Sequence, residues 1–247
     1  MKRERNSRSF FLALVSLLGL TSGAEAALVD AGPGSFTPLA PVITFEEVAL
    51  GTVNPVYNFN VPSLGGPVTI TFGGNFVGQA AGGGFPVTLT DHTPTGPLAL
   101  DSGAPNTSTV NDGSSTTSPV LSGTPLFNGP ISVLFSVPVA GVGLKGGFFN
   151  AVHSTTIEAY DASGNILGAI TNTVTGFEFY GLKDSSGANV ISGISFFITG
   201  DEPFGFEIDN LTFGGATELV LTPEPGSFGI LGIGLIGAFA LRRLRHR

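Results

Sequence analysis

Short apolar runs separated by glycine, proline and asparagine recur every eight to fifteen residues between residues 27 and 222. Helical periodicity is almost missing there, whereas several runs alternate apolar and polar side chains, as half-buried β-strands do. The pattern predicts an all-β fold, an antiparallel and jelly-roll-like β-sandwich. The predicted strands are Val42–Glu46, Val56–Val61, Val68–Phe72, Pro86–Thr90, Ile131–Val137, Gly141–Phe148, Thr155–Tyr160, Ile166–Thr171, Gly176–Tyr180, Ile191–Thr199 and Phe204–Phe213.

Turn sequences and composition divide the predicted strands. Residues 160–165 and 183–188 combine aspartate, serine and glycine between strand-like runs, which indicates two hairpins. After Asp209-Asn210 the apolar positions change parity, so we expect a β-bulge at that point. Residues 101–124 are mostly Ser, Thr, Gly, Asn and Pro, and we expect them to form a long mobile loop within a single domain of residues 27–216.

The amino-terminal segment is basic and then apolar. Four Lys and Arg residues precede an eleven-residue apolar stretch from Phe10 to Leu20, and Ala24 and Ala26 follow it in a small-x-small pattern. This order is typical of a cleavable secretory signal peptide over residues 1–26, with the mature chain beginning at Ala27. A retained membrane anchor is the weaker alternative because eleven residues are too few to span a bilayer.

The carboxyl-terminal segment is apolar first and basic afterwards. A linker of residues 217–222 leads to Pro223-Glu224-Pro225, then to sixteen mainly apolar residues, 226–241, and then to a basic tail, 242–247. As a helix the apolar run is about 24 Å long, marginal against a hydrocarbon core of roughly 30 Å. We expect a single transmembrane helix, and the positive-inside rule places residues 27–222 outside the inner membrane. The tail cations are Arg242, Arg243, Arg245 and Arg247.

This succession of short motif, apolar segment and basic stop resembles the PEP-CTERM sorting signal of Gram-negative bacteria. The proline pair keeps Glu224 out of a helix interior, so the tripeptide is expected to be extended and exposed. The resemblance implies recognition of Pro223, Glu224 and Pro225 by exosortase, an integral-membrane protease-transpeptidase, and retention by the arginines until cleavage. It also implies delivery to the cell envelope or extracellular matrix, often alongside exopolysaccharide and biofilm. A plain carboxyl-terminal anchor is the alternative.

Charge is distributed unevenly. Residues 27–222 contain fifteen acidic residues and only two cations, Lys145 and Lys183, giving a net charge of −13. Such a domain lacks the cations needed to neutralise phosphates, which excludes nucleic acid as a partner. The chain has no cysteine, so disulfides, a thiol nucleophile and thiolate metal sites are excluded as well.

Residues 40–215 also resemble the galactose-binding-like jelly rolls found in PEP-CTERM proteins, on motifs such as Ile43-Thr-Phe-Glu-Glu and Phe206-Glu-Ile-Asp-Asn-Leu-Thr-Phe. The first and last strands of such folds often pair, and their acidic side chains can hold a structural calcium ion. The resemblance implies oxygen ligands from Glu46, Glu47, Asp209 and Asn210, which suit calcium. Solvated edge-strand residues are the alternative.

Enzymatic patterns are weak. Asp91-His92 lacks a Gly-x-Ser-x-Gly elbow, and two distant histidines do not make a zinc site. We therefore expect a non-catalytic structural or adhesive domain. The alternative is a carbohydrate-binding module for exopolysaccharide. Because the chain has no tryptophan and its phenylalanines are expected in the core, Tyr160 and Tyr180, on the polar faces of their strands, would supply the stacking platform.

Overall fold

The computed structural model describes residues 27–112 and 118–221. Over these ranges the chain forms fifteen β-strands and three single-turn 3₁₀ helices at Pro33–Ser35, Pro62–Leu64 and Ala216–Glu218. The strands are β1 Leu28–Asp30, β2 Val42–Ile43, β3 Val56–Val61, β4 Gly66–Gly73, β5 Ala80–Ala81, β6 Leu89–Asp91, β7 Ser108–Asn111, β8 Pro119–Ser122, β9 Ile131–Val139, β10 Gly141–Phe149, β11 Thr155–Tyr160, β12 Ile166–Thr171, β13 Gly176–Asp184, β14 Ile191–Ile198 and β15 Glu207–Gly214.

Two antiparallel sheets of the described chain pack face to face. The seven-stranded sheet has the order β1-β13-β10-β15-β8-β7, with β2 also paired to β15. The six-stranded sheet has the order β12-β11-β14-β9-β4-β3, and a small β5-β6 ribbon lies outside both. The predicted all-β antiparallel architecture is confirmed, and strands near the two ends of the domain pair as expected, since Ile43 lies opposite Leu211.

The core lies between the two sheets and consists of branched aliphatic and aromatic side chains. Phe196 of β14 and Phe206, which precedes β15, meet edge to face with their ring centroids 4.4 Å apart. Phe45, Tyr57 and Phe72 form a second edge-to-face group near β3 and β4. Each fully buried side chain of this size contributes roughly 1.5–3 kcal/mol, so the apolar faces of the strands provide the main stabilisation of a fold without disulfides.

Most predicted strands lie within a few residues of the observed ones. Val56–Val61, Thr155–Tyr160 and Ile166–Thr171 match β3, β11 and β12. The predicted bulge is also confirmed: along β10 and β15, Gly143 lies opposite Thr212 but Lys145 lies opposite Asp209, so β15 holds one extra residue. Asn210 takes up this residue with a φ of 49°, a left-handed conformation that asparagine tolerates.

Three expectations about the connections are wrong. Residues 183–188 do form a turn, but it joins β13 to β14 in the other sheet, whereas residues 160–165 form the predicted hairpin between β11 and β12. The stretch predicted to be a mobile loop contains β7 and β8, which pair with each other at the sheet edge. The 217–222 linker belongs partly to the domain, because Leu219 is buried and forms a bridge with Phe36.

The prediction of a mobile loop at residues 101–124 was wrong because the polar side chains there form hydrogen bonds within the fold. Thr109 Oγ1 donates to the carbonyl oxygen of Ala49 at 2.8 Å, and Asn54 Oδ1 accepts the backbone N–H of Thr107 at 2.8 Å. Both threonines are fully buried. Residues 113–117 of the predicted loop lie outside the described residues.

The sandwich has two ends that we name by their strand termini. At the base, β10 begins at Gly141, and β13 and β15 end at Asp184 and Gly214. At the apex, β10 ends at Phe149, while β13 and β15 begin. No helix within 27–112 and 118–221 is long and apolar enough to cross a membrane, and the predicted span 226–241 lies outside this part of the chain.

Candidate functional site

The apex contains a cavity of about 330 Å³ lined mainly by phenylalanine. Phe148 comes from the end of β10, and Phe127 comes from the loop between β8 and β9. Phe204 is the most open of the rings, with 77% of its surface exposed. The cavity is lined by Phe127, Phe148, Asn150, Phe204, Gly205 and Phe206.

Three apical loops are joined by hydrogen bonds from backbone N–H groups, which fix the cavity wall. The N–H of Phe206 donates to the carbonyl oxygen of Phe127 at 2.6 Å, and that of Phe204 donates to Asn150 Oδ1 at 3.2 Å. Gly205 lies between them with a φ of 81°. A Cβ at this position would lie 2.0 Å from the carbonyl oxygen of Phe127, so the close approach of the two loops requires glycine.

Glu202 stabilises the cavity by accepting hydrogen bonds from the β10–β11 loop. Its carboxylate is almost fully buried and accepts the backbone N–H of Asn150 at 3.0 and 2.8 Å and the hydroxyl of Ser154 at 2.6 Å. Burial raises the pKa of Glu202 above its usual value despite the hydrogen bonds from Ser154 and Asn150, and the nearby charge of Asp201 raises it further. The carboxyl group therefore holds the β10–β11 and β14–β15 loops together rather than facing a ligand.

Two of the cavity phenylalanines have unusual backbone conformations. Phe127 and Phe148 have φ values of 61° and 66°. A bulky side chain rarely adopts this region, and strain of this kind concentrates at functional sites. Outside the cavity, Phe148 contacts Phe177 with centroids 4.9 Å apart, and Lys145 Nζ lies 5.0 Å from the centre of the Phe177 ring. The aromatic surface therefore continues from the cavity onto the outer face of β13.

The side chains that line the cavity determine the chemistry that it offers. Its lining offers aromatic faces and the amide of Asn150, but no nucleophile beside a general base. Of the two lysines among the described residues, Lys145 lies in the middle of β10 and Lys183 lies at the base. An electrically neutral ligand with an apolar face is the chemistry that such a surface accepts best.

The predicted tyrosine platform is wrong, because both tyrosines are buried. Tyr180 points into the core, where its hydroxyl lies 2.9 Å from Thr155 Oγ1. The side chains that β13 directs outward are instead Phe177 and Phe179, which lie over Gly147 and Gly143 of β10. The missing side chains of these glycines leave room for the rings on the outer face.

Tyr160 lies on the outer face of the six-stranded sheet but is covered by residues 74–101. Its hydroxyl lies 2.9 Å from both Glu158 Oε2 and Gln79 Nε2, and burial raises its pKa well above the usual range. His92 Nδ1 approaches Glu158 Oε2 at 3.8 Å. Burial raises the pKa of Glu158, although the Tyr160 hydroxyl and His92 act to lower it. This network ties the covering segment to the sheet, and Glu158 is too buried to reach a polymeric substrate.

The four predicted calcium ligands do not form one site. Glu47 turns back to Thr44, whose N–H and hydroxyl donate to Oε1 at 3.2 and 3.0 Å. Asn210 directs its Nδ2 to Asp209 Oδ2 at 2.9 Å. Glu46 remains close enough to Asp209 for its charge to raise the pKa of that carboxyl, after the larger effect of burial. Across the described ranges, no three His, Cys, Asp or Glu side chains are grouped to hold a metal ion.

Most of the predicted processing residues lie beyond the two ends of the described chain. Ala24, Ala26, Pro223, Glu224, Pro225 and the four tail arginines lie outside the described residues. Ala27 is described, is exposed and accepts the N–H of Ser185 with its carbonyl oxygen at 3.1 Å. At the other terminus, the carbonyl oxygen of Val220 accepts a hydrogen bond from Lys183 Nζ at 2.8 Å. Both ends of the domain therefore emerge at the base, and the phenylalanine cavity lies at the opposite end.

Sequence reasoning missed the cavity because it assigned the phenylalanines to the core. The available signal was the placement of Gly147-Phe148 and Phe204-Gly205 at strand ends, where glycine lets loops approach closely. Phe206 is a core residue and Phe204 is not, although the alternating pattern places these two residues, separated by Gly205, on the same face of a strand.

Comparison with known proteins gives one assignment. A search of curated proteins found no match to this chain. One solved structure, the enzymatically active domain of tailspike protein 4 of bacteriophage CBA120, aligns with 70% of this chain and 20% of its own length at 15% identity. Its TM-score of 0.26 is too low to support an argument about fold or function. Residues 221–245 match the model of the PEP-CTERM protein-sorting motif, so this chain carries that motif directly after the β-sandwich.

Proposed function

We propose that this chain is a non-catalytic adhesive or structural protein of the Gram-negative cell envelope or extracellular matrix, and that its apex makes the contact. The sorting motif indicates an extracellular protein directed to exosortase, with a carboxyl-terminal membrane anchor before processing. In the proposal the signal peptide is removed after Ala26 and exosortase cuts near Pro223-Glu224-Pro225. The domain then reaches the outer surface or the surrounding matrix.

One observation supports this proposal most directly: both chain termini of the domain lie at the base of the sandwich, and the aromatic cavity lies at the apex. Lys183 holds Val220 at the base, directly before the sorting motif. Phe204 projects from the apex. A chain anchored through residues 226–241 would present the cavity away from the membrane, which suits contact with a partner outside the cell.

Mass spectrometry of the protein from native cells tests the processing part. We expect a mature chain that begins at Ala27 and ends near Pro225, and we expect Glu224→Ala to retain the intact carboxyl terminus. Val174→Ala, at an exposed loop position of the domain, is the matched control and should be processed normally. An intact Arg247 in the unaltered protein would reject exosortase processing.

Carbohydrate binding is the second candidate, and the combination of exposed aromatic rings with one amide at the cavity favours it. Sugar rings stack on aromatic faces, and a single Asn150 amide is suited to hydroxyl contacts. A polysaccharide pull-down with the exported protein tests this function. We expect saturable binding to a neutral exopolysaccharide that falls at least about tenfold in Phe204→Ala, a loss of about 1.4 kcal/mol. Leu39→Ala is the exposed control away from the cavity. Binding that is equal in both variants would reject the cavity as the glycan site.

A further inference from the structure

Two turns at the base share the sequence Asp-x-Ser-Gly-x and the same backbone hydrogen bonds. In the first, Asp161 Oδ1 accepts the N–H groups of Ser163 and Asn165 at 2.8 and 2.9 Å. In the second, Asp184 Oδ1 accepts those of Ser186 and Ala188 at 2.9 and 3.0 Å. The two aspartates therefore form turns with the same backbone hydrogen bonds, and Asp184 Oδ1 also accepts the hydroxyl of Ser186 at 2.5 Å.

The turns differ at the second carboxylate oxygen. Asp161 Oδ2 accepts the side-chain amide of Asn165 at 2.8 Å. The corresponding residue of the second turn is Ala188, which has no such group. Asp184 is fully buried, and its Oδ2 has no hydrogen-bond partner within the described chain. A buried carboxylate oxygen of this kind calls for a partner, because leaving a buried charge uncompensated is strongly destabilising.

The neighbouring lysine does not supply the partner. Lys183 precedes Asp184 in β13, so the two side chains point to opposite faces of the sheet. Its Nζ donates to the carbonyl oxygen of Val220 instead. Among residues 27–112 and 118–221, the ion pair formed by side chains joins His92 and Glu158 and does not include Asp184.

β1 brings the chain's amino-terminal side to this carboxylate. Leu28 lies directly opposite Asp184, and Ala27 accepts the N–H of Ser185. Because β1 and β13 are antiparallel, Ala27 lies next to Ser185, the residue that follows Asp184 in the turn. An α-ammonium group carries a positive charge and three N–H donors, whereas the peptide nitrogen of an uncleaved chain is uncharged and has one.

We propose that the α-ammonium group of Ala27, created by removal of the signal peptide, binds Asp184 Oδ2. The inference rests on the part of the proposed function that places cleavage after Ala26. The ion pair can form only after export, because the buried carboxylate gains its partner when the signal peptide is cleaved off. The free amine takes the place that Asn165 occupies in the first turn.

The test compares two full-length exported chains, the natural one and one with Gly-Ser inserted between Ala26 and Ala27. Amino-terminal sequencing verifies where each mature chain begins, and thermal unfolding is then measured. We expect the insertion to lower the melting temperature by about 4 °C or more, since it displaces the amine from a buried charge. In Ala188→Asn, which supplies the amide that Asp161 has, the insertion should have almost no effect. In Asp161→Asn, the matched control, it should have its full effect.

A second readout does not depend on stability. Acetic anhydride should acetylate the Ala27 amine more slowly in the natural chain than in Asp184→Asn or Ala188→Asn. If Asp184→Asn folds poorly, the comparison with Ala188→Asn remains, because that variant keeps the buried carboxylate. The ion pair would be overturned if the Ala27 amine were acetylated equally fast in all three chains and the Gly-Ser insertion lowered the melting temperature as much in Ala188→Asn as in the natural chain. That result would leave the proposed cleavage after Ala26 intact. A mature chain that does not begin at Ala27 would overturn the proposed cleavage as well as the inference.

Discussion

Lys183 donates a hydrogen bond of 2.8 Å from Nζ to the carbonyl oxygen of Val220, the residue directly before the PEP-CTERM motif. The lysine is 8% exposed, and Val220 N–H is held in turn by the carbonyl oxygen of Ser35 at 2.9 Å. Pro223 follows three residues later in the sequence, and three residues span at most about 10 Å. The folded domain therefore holds the chain at its base up to the residue before the motif.

Removing the lysine should loosen this end of the chain. We expect Lys183→Met to lower the free energy of unfolding by about 1.5–3 kcal/mol, the usual value for a hydrogen bond made by a charged group. Limited proteolysis should also cut the segment after Leu219 more quickly. Lys145→Met is the control, because this exposed lysine contacts the Phe177 ring and is expected to contribute about 0.5–1 kcal/mol. Unchanged proteolysis in Lys183→Met would show that Val220 is held by other contacts.

Two neighbouring phenylalanines should have opposite roles. Phe204 is 77% exposed, so Phe204→Ala should change the free energy of unfolding by no more than about 0.5 kcal/mol while it weakens binding at the apex. Phe206 is 1% exposed and packs on Phe196, so Phe206→Ala should cost about 3–5 kcal/mol. Urea denaturation measures the first quantity, and the polysaccharide pull-down measures the second. Equal destabilisation by both changes would contradict the assignment of Phe204 to a binding surface.

The acid dependence of stability should reveal the buried Glu158. Burial raises the pKa of Glu158 above its ordinary 4.5, so the native state holds its proton at higher pH than the unfolded state does. Its contribution to stability is therefore complete below the ordinary value and is lost as pH rises through the folded-state pKa. Glu158→Gln removes this titration, so the decline in unfolding free energy with rising pH should become shallower. Urea denaturation at several pH values between about 4 and 7 measures the slope.

Asp161 provides the opposite sign as a control. Burial acts to raise its pKa, but hydrogen bonds from Asn165, Ser163 and Gly164 outweigh this and lower the pKa below the ordinary 3.8. Its contribution is therefore present above that value and is lost as pH falls. Asp161→Asn should flatten the acid limb and leave the decline attributed to Glu158 unchanged. If Glu158→Gln also altered only the acid limb, the raised pKa would be wrong.

The sequence predicted the strands well because their apolar residues face a continuous core. It failed where a side chain is buried on the other face of a sheet. Tyr160 reads as an exposed residue in β11, but residues 74–101 cover it, and no local pattern indicates that cover. Phe177 and Phe179 read as core residues, but glycines on β10 make the outer face available to them. The apical cavity was missed for the same reason, since alternation does not tell a core phenylalanine from one at a loop end.

The bulge at Asn210, which the parity change in the sequence predicted, gives a final prediction. It concerns the free-energy cost of the left-handed backbone conformation at this residue. Asn210 has a φ of 49°, and its N–H donates to Asp209 Oδ1 at 2.7 Å. Asn210→Gly should preserve stability to within about 0.5 kcal/mol, because glycine adopts this conformation without steric cost. Asn210→Val should cost about 1–2 kcal/mol or more, because a β-branched side chain is strained there. Urea denaturation of both variants measures the difference. If valine were tolerated as well as glycine, the register of β15 against β10 would not depend on a left-handed residue, and the extra residue would have to be accommodated elsewhere in the strand.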